Sequence, residues 1–136
     1  MASAKGDGSG SAAEALAVRI AECALERKAE HVVALDLRGI SSATDFFVLA
    51  SGGSDVHVRA IAEHVVDALK KEDVRPGHVE GLQSAQWVLL DYIDVVVHVF
   101  QRGARDFYQL ETLWGDAAVR HFEDGPEPPP TGAGPV

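Results

Sequence analysis

From Ala13 to Ala29 the apolar residues Leu16, Ile20, Cys23 and Ala24 recur at helical spacing, with Glu14, Glu22, Glu26 and Lys28 elsewhere on the circumference. That pattern predicts an amphipathic helix. "HVVALDL", His31 to Leu37, is short and β-branched and predicts a strand. "DFFVLAS", Asp45 to Ser51, barely alternates, so a second strand buried on both faces is expected. Two glycines end it. Ser54 then makes a good N-cap, Asp55 suits the positive end of the next helix, and Val58, Ile61, Ala62, Val65 and Leu69 form a single apolar stripe. Lys70 and Lys71 suit the C-terminal end, and "RPG" at Arg75 to Gly77 turns the chain towards a short strand near Val79. "QWVLLDYIDVVVHVF", Gln86 to Phe100, reads as a hairpin, and "ARDFYQLETLW", Ala104 to Trp114, returns to helical spacing. The order α-β-β-α-β-β-β-α implies an α+β fold, with a mixed β-sheet of about five strands and helices packed mainly on one face.

The hairpin carries the chemistry that needs explaining. With Tyr92 and Ile93 as a two-residue turn, Asp91 lies opposite Asp94, Leu89 opposite Val96 and Trp87 opposite His98. One face is then wholly aliphatic: Val88, Leu90, Val95, Val97 and Val99. The other presents Trp87, Leu89, Asp91, Asp94, Val96 and His98. A closed core would leave those carboxylates unsolvated at several kcal/mol each, so this face is expected to meet water or a partner. An apolar centre with charge at its edge has the anatomy of a protein interface. The pattern fits equally a partly exposed sheet, or one covered by the C-terminal helix. Facing aspartates repel, and a basic partner would relieve them.

A catalytic reading is weaker. "GGSD", Gly52 to Asp55, with two later aspartates, has parts in common with nucleotidyltransferases of the polymerase-beta type, which hold phosphate at a helix start and metal on two acids one residue apart. Asp91 and Asp94 are separated by two residues, and no third acid stands out. His31, His57, His64, His78, His98 and His121 show no ligand spacing, and no Walker or dinucleotide glycine pattern occurs. No catalytic residue, metal ligand or cofactor is expected.

Composition narrows the class. The chain has 136 residues, 46% of them hydrophobic, which suits one folded domain. Residues 1–12 are rich in Gly, Ser and Ala and residues 123–136 in Pro and Gly; both read as disordered tails flanking a domain over 13–122. No apolar run reaches 18 residues and "MASAKGDGSGS" lacks a signal-peptide core, so a soluble, cytoplasmic protein with no membrane partner is expected. Cys23 is the single cysteine, which rules out an internal disulfide and a cysteine zinc site, and reads as a small buried apolar residue. A net charge of −9 argues against direct DNA binding and makes rRNA contact a minor term; it favours a basic protein partner, although acidity also serves solubility alone.

Three segments together resemble the ribosomal silencing factor (RsfS, or Iojap-related) family: "ALDLRGISSATDFFVLASGGSDVHVRAIAEHV", "WVLLDYIDVVVHVF" and "RDFYQLETLWGDA". The resemblance rests on Asp45, Phe46, Phe47, Val48, Ser51, Gly52 and Ser54; on Trp87, Leu89, Asp91, Asp94, Val95, Val97, His98 and Phe100; and on Arg105, Tyr108, Leu110, Glu111, Leu113 and Trp114. It implies a nucleotidyltransferase-like topology without the active site, and a non-enzymatic repressor of translation. Such proteins bind the large ribosomal subunit through ribosomal protein L-fourteen, block joining of the small subunit and lower translation under nutrient limitation; organellar relatives are linked to large-subunit assembly. On this reading Trp87 and Leu89 anchor the contact, Asp91 and Asp94 meet Lys or Arg, and Tyr92, Val96 and His98 contribute. The same exposed face admits a homodimer. One departure stands out: the family has glycine where this chain has Ile93. Either the turn differs or the register shifts, and Ile93 at positive φ would mean the family geometry is kept under strain.

Overall fold

The computed structural model describes residues 7–103, 115 and 117–122. The elements run α1 (Asp7–Glu26), β1 (Glu30–Asp36), β2 (Phe46–Gly52), α2 (Asp55–Lys70), β3 (His78–Glu80), β4 (Trp87–Asp91), β5 (Val95–Gln101) and β6 (Ala118–Phe122). The expected helix over 104–114 and the tail over 123–136 lie outside the described residues. Helix α1 starts at Asp7, ahead of the expected start at Ala13 and inside the stretch read as a tail.

The strands form one mixed sheet in the order β3-β4-β5-β2-β1-β6. Among the described strands only β2 and β5 run parallel; the other neighbours are antiparallel. Strand β2 is buried on nearly every side chain, as its non-alternating sequence predicts. Strand β6 was not foreseen. Its residues are mostly exposed on both faces, so it carries no buried periodicity for the sequence to display.

Both helices cover one face. Ala13, Ala17, Ile20, Ala21 and Ala24 of α1, with Val58, Ile61, Ala62, Val65 and Leu69 of α2, pack on Val32, Val48, Ala50, Val88, Leu90, Val97 and Val99. The α2 stripe is the predicted one. Its start is also as predicted: Ser54 is extended at φ −155° and its Oγ accepts from His57 N at 3.1 Å. Cys23 is fully buried in the same core, and burial pushes its thiol pKa up. Among the described residues no helix is long and apolar enough to cross a membrane. Ser54→Ala removes the cap and should lower unfolding free energy by about 1 kcal/mol. Urea denaturation checks this, with the slope of the transition unchanged.

Candidate docking surface

Strand pairing decides what the other face presents. Trp87 pairs with Phe100, Leu89 with His98 and Asp91 with Val96. This register differs by two residues from the one expected from a Tyr92–Ile93 turn. A two-residue slip preserves the pleat, so the side chains keep their expected faces. What changes is the turn. Tyr92 N donates to Val95 O at 2.8 Å, leaving Ile93 and Asp94 at the tip. Asp94 therefore does not lie opposite Asp91, and the expected repulsion across the ladder is absent. Ile93 has φ 78°, the left-handed region that favours glycine. Asp91 Oδ1 accepts from Ile93 N at 2.8 Å, and Asp94 O accepts from Asp45 N and Phe46 N, tying the turn to the start of β2.

The face is layered. Its floor is buried: Val33, Leu35, Leu49 and Phe100, with His98 only 4% exposed. Above that floor, Phe47, Leu89, Asp91 and Val96 are half-buried, and Trp87 is 40% exposed. An open hollow of about 510 Å³ lies between Phe47, Leu89, Asp91, Ile93, Val96 and His98, walled on the far side by Ser41, Ala43 and Thr44. A second hollow, of about 280 Å³, is lined by Glu80, Gly81, Trp87 and Leu89, so Leu89 borders both. A smaller one, of about 140 Å³, lies on the helix-covered side between α1 and β6 and shares no residue with either.

Trp87 is held rather than loose. Its Nε1–H donates to His98 Nδ1 at 3.0 Å, and its ring lies 5.1 Å from that of Phe100. The indole N–H can only donate, so Nδ1 accepts and the neutral imidazole carries its proton on Nε2. Phe47 meets the imidazole edge-on at 4.5 Å. Burial pushes the His98 pKa down to about 4, so the ring is uncharged at neutral pH.

Of the residues singled out in the hairpin, Trp87, Leu89, Asp91 and Val96 share one surface, His98 underlies it and the exposed Asp94 stands at the turn. Tyr92 goes to the other side: it is 7% exposed within the helix-facing core. The reason is parity, since Tyr92 continues the Val88 and Leu90 row. Burial raises its phenol pKa to about 12, and its hydroxyl has no partner among the described residues. Phe47, Thr44 and Ile93 belong to the surface but were not selected from sequence. Phe47 is aligned with Val96 only through the β2–β5 pairing, which no local pattern announces.

The glycine-rich loop is remote from this surface. Gly52 pairs with Gln101 at one end of the β2–β5 ladder, whereas Asp94 precedes its other end at Phe46 and Val95. Six residues of strand rise put about 20 Å between them. The loop is also engaged internally. Gly53 N donates to His57 Nδ1 at 2.9 Å, and the Arg102 guanidinium, bonded to both Glu30 oxygens at 2.9 and 2.7 Å, lies against Gly53. Among the described residues no three His, Cys, Asp or Glu are grouped to hold a metal ion.

The family model described as "Ribosomal silencing factor during starvation" matches residues 10–133. The chain belongs to the ribosomal silencing factor family. The chain is 42% identical over 100 residues to ribosomal silencing factor RsfS of Bacillus subtilis strain 168, covering 74% of this chain and 85% of that protein. It is 35% identical over 92 residues to the mitochondrial Iojap-related protein of Arabidopsis thaliana, covering 64% of this chain and half of that one. A crystal structure from Bacillus halodurans superposes with a TM-score of 0.64 at 42% identity, covering 73% of this chain and 90% of that one. One from Chromobacterium violaceum gives 0.68 at 35% identity, covering 77% and 85%. The α+β fold read from the sequence is thus that of its ribosomal silencing factor relatives.

Two outcomes follow from the burial of Tyr92 and His98. Tyr92→Phe removes a buried hydroxyl that has no partner among the described residues, and should leave thermal stability unchanged or raise it. For His98, the unfolded chain takes up a proton near pH 6.5 while the folded ring resists protonation until about pH 4. Stability should therefore be full above about pH 7 and fall between about 6.5 and 4, by about 3 kcal/mol in total. Chemical denaturation across that range, with His98→Phe losing the slope, measures the effect.

Proposed function

We propose that this chain represses translation by docking through the Trp87 surface onto a basic protein of the large ribosomal subunit, ribosomal protein L-fourteen, and thereby keeps the small subunit from joining. The observation that carries this is the combination of a partly exposed aromatic-aliphatic plate with carboxylates at one edge. Trp87, Leu89, Phe47 and Val96 offer apolar area, while Asp91 and Asp94 offer charge to Lys or Arg. A net charge of −9 favours approach to a cationic surface. Family membership supplies the ribosome as the setting, and the resemblance supplies the partner protein.

The action requires no chemistry. A folded domain seated on the joining surface excludes the other subunit by volume, so affinity sets how many particles are silenced and bulk sets the effect. The roughly 20 Å between the glycine loop and the hairpin aspartates, and the internal use of that loop's groups, speak for a non-enzymatic role.

Trp87→Ala should weaken binding by about 2–4 kcal/mol, as loss of a central aromatic anchor does. Asp94→Lys is the cleaner charge reversal, because the Asp91 carboxylate also holds the turn; it should slow association, most at low salt. The measurement is a pull-down of the ribosomal protein with each variant beside a subunit-joining assay. Unchanged binding by folded Trp87→Ala would sink the proposal, and accumulation of the wild type on immature particles would favour an assembly role instead.

A further inference from the structure

Two unfavourable features meet at the tip of the β4–β5 hairpin. Among the described residues, Lys28, His31, Asp73, Ala85 and Ile93 are the non-glycine residues at positive φ, and of these only Ile93 is β-branched. A branched Cβ is the side chain that fits this region of backbone space worst. Ile93 is also 69% exposed, the most exposed large hydrophobic side chain among the described residues. The fold gains little from it: an exposed residue buries little area, and glycine would meet the same backbone requirement without strain.

The turn nevertheless holds Ile93 firmly. Its N–H donates to Asp91 Oδ1 at 2.8 Å, and Asp94 N donates back to Tyr92 O at 2.9 Å across it. An i to i+2 bond about a residue at φ 78° is the rarer, strained form of γ-turn. The residue so held borders the same 510 Å³ hollow as Leu89, Val96 and Asp91. Strain of this kind persists where the surroundings over-determine it, and it concentrates at functional surfaces.

We infer that Ile93 is a pre-ordered apolar contact for the basic partner of this surface, kept at a cost to the stability of the free protein. The inference rests on the docking reading above. Its partner chemistry follows from the neighbours: Asp91 and Asp94 flank Ile93, so Lys or Arg heads reaching the carboxylates lay their methylene stems across the isoleucine. Because the turn fixes the backbone and a β-branched side chain is stiff at χ1, little ordering entropy is lost on contact.

Co-sedimentation with purified large ribosomal subunits and thermal melts of the full chain test this, using wild type, Ile93→Gly, Ile93→Ala and Trp87→Ala. Glycine removes both strain and contact, so Tm should rise by about 4 °C while Kd weakens roughly tenfold. Alanine sheds the branch but keeps a Cβ at positive φ, so Kd should weaken similarly with a smaller rise in Tm than glycine gives. Binding within about twofold of wild type for either variant overturns the inference, as does a lower Tm for Ile93→Gly. Trp87→Ala separates the two ideas: if it binds weakly while both Ile93 variants bind normally, only the role of Ile93 is lost. If all three bind normally, the docking surface is lost with it.

Discussion

Pairing β2 with β5 in parallel obliges the chain to leave the sheet after Gly52 and return to begin β5 at Val95, because two parallel strands cannot be joined by a tight turn. The detour is spent on α2, β3 and β4. Helix α2 lies on one face, and β4 delivers the chain to the head of β5 through a hairpin. Strand alternation does the rest. Every second residue of β4 and β5 is committed to the helix-covered core, and the remainder must populate the opposite face. Trp87, Leu89, Asp91, Val96 and His98 share a surface because Val88, Leu90, Val97 and Val99 have no alternative but the core.

That dependence explains which parts were legible in advance. The α2 stripe and its Ser54 cap are local, periodic and correctly read, as is the aliphatic face of the hairpin. The apolar pattern predicts a turn at Tyr92 and Ile93, two residues out of register with the observed tip at Ile93 and Asp94. Nothing apolar distinguishes the two placements, because a shift of two restores the same faces. The difference lies in hydrogen bonds: Asp91 accepting from Ile93 N, and Asp94 O accepting from Asp45 N and Phe46 N. Tyr92, expected in the turn and as a contributor to the contact, instead continues a core row. Strand β6 and the membership of Phe47 depend on pairings between distant segments, which no single stretch encodes.

The surface also shows how a tryptophan is kept both exposed and ordered. An indole left free at the edge of a sheet would lose rotamer entropy on contact. Here a neutral imidazole beneath it accepts the indole proton, and Phe47 and Phe100 flank that imidazole. Burial keeps the imidazole uncharged and its Nδ1 lone pair available. Removing charge from the floor and leaving carboxylates at the rim suits an apolar contact with a cationic border.

Strand β6 has a quieter effect. It lies outside β1 at the margin of the described sheet, and its Arg120 and His121 are exposed. By occupying the backbone donors and acceptors of β1 with a short, charged strand, it shields a segment that includes Val32, Val33, Ala34 and Leu35. Clipping of the chain ahead of Ala118 would bare that ladder and offer it as a template for strand-by-strand aggregation, so β6 acts as a guard on the edge that would otherwise recruit other chains.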